Sequence, residues 1–408
     1  MSKILTDSLE WIDARYPLSK MWNEHLAQYY APKNFNVWYY FGSLALMVLV
    51  MQIFTGIFLA VNYKPDAALA FASVEYIMRD VEYGWLIRYM HAIGASFFFL
   101  IVYLHMFRAL IYGSYRKPRE LLWIIGVFIY LCLMAESFFG YLLPWGQMSY
   151  WGAQVIISLF GAIPYVGEDL AVWVRGDFVI GDATLNRFFV YHVVLMPIIL
   201  LALAVVHIIA LHEVGSNNPD GIEIKKNKDP KTGIPKDGIP FHPYYTVKDI
   251  VGIAVFLIIF SVVVFYAPEM GGYFLEKNNF LPADPMTTPE HIEPLWYFTP
   301  FYAILRAVPD KFFGVMGMGG AIVVLFFLPW LDRSPVKSIR YKGWIFKSAL
   351  ALFVISFFGL GYLGMQTVTP TTTLFAQIFS VIYFAFFLLM PWYSKWDETK
   401  PEPERVTD

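Results

Sequence analysis

Cysteine and charge are what this sequence has least of. Its 408 residues include one cysteine, Cys132, set in an apolar stretch. A single cysteine excludes a disulfide framework, a cysteine-ligated iron–sulfur cluster and covalent haem attachment through a CxxCH run. Charged residues make up only 15% of the chain, against about 25% in an average soluble domain. Basic and acidic residues nearly balance, 30 against 32, so there is no electrostatic footprint for nucleic acid. The opening stretch, MSKILTDSLEWIDARY, also lacks the apolar core of a cleaved signal peptide.

What fills the space is apolar and aromatic: 58% of residues are hydrophobic and 19% aromatic. Eight runs, at about 37–61, 84–112, 121–143, 186–211, 249–266, 313–331, 343–365 and 372–392, approach the ~20 residues that cross ~30 Å of hydrocarbon. The pattern predicts an all-α membrane protein of eight transmembrane helices, the first four forming a four-helix bundle. Residues 7–30 mix Leu, Trp, Ile and Tyr with charged side chains, which predicts an N-terminal amphipathic helix on the membrane surface. The expected organisation is a surface segment (1–36), the bundle (37–212), a polar loop (213–246), a C-terminal four-span region (247–393) with a long loop at 267–311, and a tail (394–408). Lys and Arg concentrate between alternate spans: Arg116, Lys117 and Arg119; Lys225, Lys226, Lys228, Lys231 and Lys236; Arg333, Lys337, Arg340 and Lys342. The positive-inside rule makes that side, and both termini, cytoplasmic.

Two of the apolar runs carry paired histidines. His91 and His105 lie 14 residues apart, and His192 and His207 lie 15 apart. At 100° per residue, 14 steps return to within about 40° of the starting face and 15 to within about 60°, with about 21 Å between the paired rings. Pro197, inside the second run, should kink that helix or loosen its ladder and so absorb the extra residue. Side by side, the helices offer His91 with His192 near the outer face and His105 with His207 near the cytoplasm. Intramembrane ionisable residues are functional by default, and four in matched pairs point to metal or haem ligation. A transporter with intramembrane histidines would not need the matched depths.

Glycines favour haem over a bare ion. Gly42 and Gly56 are 14 apart in the first run, and Gly126 and Gly140 are 14 apart in the third. A glycine lets a flat group approach the backbone; the competing reading is close helix packing. Arg88 and Arg108 each lie three residues from a histidine, on its face, placed to pair with haem propionates or else to snorkel. His25, His242 and His291 are assigned no ligand role.

The quoted residues resemble the cytochrome b family, the central subunit of quinol–cytochrome c reductases. Further motifs carry the resemblance through nearly the whole chain: PWGQMSYWG at 144–152, LHEVGSNNP at 211–219, FHPYYTVKD at 241–249 and PLWYFTPFYAILR at 294–306. The unsplit chain is similar to the respiratory, bacterial type, in the inner (cytoplasmic) membrane. The resemblance implies two b-type haems, outer on His91 and His192 and inner on His105 and His207. It implies quinol oxidation at an outer site and quinone reduction at an inner one, in a Q cycle that translocates protons. Implied partners are a Rieske iron–sulfur protein and a membrane-anchored c-type cytochrome, in a homodimeric complex within the lipid bilayer.

The resemblance places the outer site between Gly146 of PWG and Pro294, Trp296, Tyr297 and Tyr302 of the PLWY region. The commonest form of that motif is Pro-Glu-Trp-Tyr, whose Glu accepts a quinol proton, and here Leu295 stands in its place. Glu136, one turn before Gly140, is the expected replacement, with Glu293 as the alternative and a structural hydrogen bond as the competing role for Glu136. The inner site is implied at His212, Ser216, Asn217, Lys248 and Asp249. Without the resemblance, Asp249 reads as a helix cap and His212 as a surface residue.

Overall fold

The computed structural model describes residues 3–23 and 29–407. His25 and part of the expected surface helix lie outside the described residues. Eight helices among them are long and apolar enough to cross a membrane: Val37–Asn62, Gly84–Tyr112, Glu120–Leu142, Asp182–Val214, Phe241–Tyr266, Lys311–Leu331, Trp344–Gly364 and Pro370–Leu388. A helix satisfies most of its backbone internally, the condition for a segment surrounded by lipid. Side chains such as Phe54, Ile258, Phe358 and Val381 point outward and are exposed, as expected of surfaces that face acyl chains.

The structure departs from expectation at two prolines and in the loops. The last span ends at Leu388, and a separate short helix follows at Met390–Trp396. Pro391 is in its first turn, where a missing N–H is tolerated, whereas in a continuous helix its ring would clash with the preceding turn. Pro17 likewise divides the N-terminal segment into helices Lys3–Asp13 and Leu18–Trp22. Segments expected as loops contain helices at Ala70–Arg79, Gln147–Phe160, Gly167–Arg175 and Thr299–Ala307.

The fourth span is built in three parts: an α-helix to Val190, a π turn at Tyr191–Leu195 and an α-helix from Met196. In the π turn the Met196 N–H reaches back to the Tyr191 carbonyl. Pro197 has no N–H to give the Val193 carbonyl, so the ladder is already broken there and one extra residue is accommodated as a bulge. His192 sits inside that bulge. This accounts for the 15-residue spacing.

Segments near both ends of the chain meet the loop after the fourth span. The strand Tyr30–Pro32 pairs antiparallel with Gly238–Pro240 in the loop after the fourth span. The tail crosses the same loop: Arg405 binds Asp237 at 2.8 Å, and the Thr407 N–H donates to Asp220 at 2.9 Å. Buried ion pairs close this terminal face. Arg119 holds Glu223 through two nitrogens, at 2.6 and 2.9 Å, and Lys337 joins the same carboxylate. Asp332 accepts from Tyr115 at 2.7 Å and Lys342 at 2.6 Å. Burial alone would raise the Asp332 carboxyl, but Lys342 and Arg116 outweigh it and hold it below its usual range. Burial brings Lys342 down to about 8, against the pull of Asp332.

Candidate functional site

The first four spans bring the four histidines together in two layers. His91 and His192 have ring centroids 6.0 Å apart with planes at 89°. His105 and His207 are 6.5 Å apart at 58°. With metal–nitrogen bonds of about 2 Å, two imidazoles on one ion place their centroids roughly 6 Å apart. Among the described residues no group of three or more His, Cys, Asp or Glu converges as a bare-ion site.

Hydrogen bonds set the tautomers of the outer pair. His91 Nδ1 is 2.9 Å from Thr55 Oγ1, whose own hydroxyl donates to the Met51 carbonyl at 2.8 Å. Nδ1 must therefore donate, leaving the Nε2 lone pair for a metal. His192 Nδ1 donates to the Glu136 carbonyl at 3.0 Å and lies 3.1 Å from Glu136 Oε1. Again Nε2 is the nitrogen left over. Gln52 Nε2 adds a bond to the His91 carbonyl at 2.9 Å.

Each of the four glycines stands against one of the four histidines. A Cβ at Gly56 would come 3.1 Å from His91 Cε1, at Gly42 3.3 Å from His105 Cε1, at Gly126 3.3 Å from His207 Cε1, and at Gly140 2.3 Å from His192 Cε1. The shared period thus registers two glycine helices with two histidine helices. The glycines make room for the imidazoles, where the expectation has them facing a macrocycle directly.

Arg88 lines a cavity of about 520 Å³ that also contains Gly56, His91, Gly140 and His192. Arg108 Nη2 lies 3.3 Å from His105 Nδ1 and 3.4 Å from Nε2. Its Nε is buried without a partner, and its guanidinium stands 5.2 Å from the Tyr39 ring centre. A buried donor left open beside a histidine pair fits an anionic side group such as a propionate. Donor set, ring spacing and glycine recesses all fit a haem in each layer.

The outer cavity runs on from the histidine pair to the loops: Glu136, Tyr141, Pro144, Phe274, Glu276, Leu295 and Tyr297 continue its wall. Tyr297 is buried, stacked on Phe99 with centroids 3.8 Å apart, and its hydroxyl bonds Ser137 at 2.9 Å. The other expected outer-site residues do not line this cavity. Tyr302 faces a second cavity with His291, Glu290 and Arg306, because the helix Thr299–Ala307 turns it away; its ring lies under Arg306 at 4.6 Å. Trp296 points into the core and donates to Ser96 at 3.2 Å. Pro294 is absent from the cavity wall. Gly146 is where the loop clamps the PWG turn: a Cβ there would meet Asn279 at 2.3 Å, and Gln147 N–H donates to Leu281 at 2.9 Å. Glu293 pairs with His291 at 3.5 Å, in the loop. Glu136 reaches the cavity, but its nearest partner is His192.

On the terminal face, His212 stacks on Tyr29 with centroids 4.4 Å apart, and the Tyr29 hydroxyl bonds Ser216 at 2.9 Å. Asn217 is buried and turned the other way, donating to the Tyr112 carbonyl at 2.8 Å and Ser114 at 3.0 Å, so it ties the second span to the loop. Lys248 stands 5.2 Å from the Tyr245 ring centre, and Asp249 has Ser43 as a hydrogen-bond partner.

Thr55, Glu276, Tyr141 and Tyr29 are the site residues that sequence reasoning missed. Thr55 immediately precedes Gly56, and a hydroxyl one residue from a histidine-facing glycine was a usable signal. Glu276 and Tyr29 sit in irregular segments where no period marks a face.

The family model described as Cytochrome b/b6/petB matches residues 26–215, and the one described as Cytochrome b(C-terminal)/b6/petD matches residues 282–384. A cytochrome b of Allochromatium vinosum is 66% identical over 416 residues, covering 100% of both chains. A cytochrome b of Rickettsia prowazekii is 50% identical over 397 residues, covering 97% of this chain and 96% of that one. A chain of a solved hyperthermophilic respiratory Complex III superposes with a TM-score of 0.87 at 39% identity, covering 95% of this chain and 98% of that one.

Proposed function

Because the chain belongs to the cytochrome b family, we propose that it is the core subunit of a quinol–cytochrome c reductase, working by a Q cycle with two bis-histidine b haems. The carrying observation is the pair of histidine layers, each at metal-bridging ring separation and each flanked by its own glycines. His91 with His192, and His105 with His207, would each hold one haem, which when bound would supply one-electron transfer chemistry.

The remaining work falls to side chains. His91 and His192 would hold the outer haem through Nε2, with Thr55 and Glu136 fixing the rings from behind. His105 and His207 would hold the inner one, and Arg88 and Arg108 neutralise propionates in a low dielectric. Next to the outer layer, Phe274, Leu295 and Tyr297 present an apolar wall suited to a quinone ring. On the terminal face, His212, Ser216, Lys248 and Asp249 are the polar groups available to deliver protons to a reduced quinone.

The terminal face is cytoplasmic in this reading, following its lysines and arginines, in a bacterial inner membrane. The partners are a Rieske iron–sulfur protein and a membrane-anchored c-type cytochrome, and the assembly is a dimer. A reduced-minus-oxidised spectrum of the purified complex tests the proposal. Two b-type components reduced by quinol support it, and absence of haem overturns it.

A further inference from the structure

Resting on that reading, we propose that Glu276 is the carboxylate that takes a proton from quinol in the outer cavity and passes it to water. Leu295 occupies the wall where the related motif carries a proton acceptor, and leucine has no titratable group. Of the cavity's carboxylates, Glu136 lies against His192 at 3.1 Å, and Cys132 to Phe139 around it in the third span are all at least partly buried. Glu75 stands at the far end, paired with Arg79 at 2.6 Å.

Glu276 is placed differently. It lines the cavity together with Leu275 and Asn279 from its own segment, and with Leu295 and Tyr297. It is half-buried, while Lys277 and Asn278 beside it are exposed. One carboxylate therefore touches both the apolar chamber and the water outside.

The segment is fixed at both ends. Glu276 Oε2 accepts from the Asn279 N–H at 3.1 Å, and Asn279 Oδ1 accepts from the Ser149 N–H at 2.9 Å. Gln147 N–H and Ala283 N–H bond across to the opposite strands of the clamp, at 2.9 and 3.0 Å. The carboxylate is thus held by the PWG turn, the motif that forms the other lip of the cavity. Burial raises its carboxyl above the usual range, with Glu293 adding to it and the Asn278 and Asn279 amides opposing. Tyr141 from the third span and Glu293 from the outer loop face it, and Arg88 and Glu136 share the chamber.

The step balances simply. One quinol O–H bond breaks and an O–H bond forms on Glu276 as one electron leaves to a one-electron acceptor of the proposed reaction. Glu276 gives that proton to water and accepts the second O–H proton as the second electron leaves, so that quinol becomes quinone. Glu276 then releases its proton to bulk water and is ready for the next turnover.

The test uses the whole complex with decylubiquinol as donor. Glu276→Gln keeps a side-chain oxygen for the Asn279 N–H and should leave haem content unchanged, yet slow quinol oxidation by roughly 10- to 100-fold, the range for loss of a general base. Glu276→Asp should recover part of the rate and move the acid limb of its pH profile. Infrared difference spectra on quinol addition should show a carboxylic acid band that Glu276→Gln removes and Glu136→Gln retains. Lys277→Gln, a charge change in the same turn, should turn over normally. A Glu276→Gln rate within twofold of wild type overturns the proposal, as does a band that vanishes in Glu136→Gln instead. If the wild-type complex itself fails to oxidise decylubiquinol, the functional reading falls and not this assignment alone.

Discussion

A glycine opposite a histidine is the smallest unit of this molecule's design. Gly140 is the tightest of the four: an added methyl would lie 2.3 Å from His192 Cε1, against 3.3 Å for Gly126 and His207. The first distance is a clash that the His192 ring must move to relieve, and the second needs a shift of a few tenths of an ångström. Gly140→Ala should therefore lose the outer haem, read as one b-type component fewer in the spectrum, while Gly126→Ala keeps both. At the other end, Asp249 is half-buried beside Ser43 near the start of the fifth span. Asp249→Ala should slow reoxidation of the inner haem several-fold after a flash or quinol pulse and leave outer-site quinol oxidation nearly intact. The reverse pattern would remove Asp249 from the inner site. The histidines and glycines were legible in the sequence because helical period converts spacing into position. Glu276 and Tyr29 were not, because a loop residue's surroundings depend on contacts with distant segments, here the PWG turn and His212.

The fourth span shows how an element can carry one residue too many. Fifteen residues separate its histidines where the second span uses fourteen, and Pro197 announced where the correction would fall. The correction is the π turn at Tyr191–Leu195, placed around a proposed haem ligand. Deleting Val194, which is exposed and inside that turn, should let the helix close into regular α geometry with both haems retained. Loss of the outer haem in that variant would mean that the bulge itself orients His192. Span existence was legible from hydropathy alone, whereas the early end of the eighth span follows from Pro391 and the helices at Gln147–Phe160 and Thr299–Ala307 lie in segments too short to stand out. Those two matter functionally. The first follows directly on the PWG lip, and the second sets Tyr302 in a separate cavity with His291 and Arg306.

At the scale of the whole molecule, the chain is closed on its terminal face by buried ion pairs and a strapped tail. Asp332, Glu223 and Asp220 all sit below the ordinary carboxylate range, each against its own burial, because cationic or hydrogen-bonding partners outweigh it. A carboxylate with a depressed folded value stabilises the fold above its unfolded value, near 4, and loses that contribution as pH falls through the folded one. Thermal stability should therefore drop as pH is lowered from about 5 toward 3. Asp332→Asn should be destabilised at pH 7, since it leaves Lys342 buried without a counter-charge, and should show a flatter acid dependence. Differential scanning of the complex in detergent measures both.

In the proposed reading, two histidine layers between two polar ends make the bundle a wire, and the test falls on the wire itself. A potentiometric titration of the purified complex, followed in the haem α-band, should resolve two one-electron b-type components, with the second removed selectively by His192→Asn. A single component in the wild type, or two components that both survive His192→Asn, would contradict the two-layer assignment.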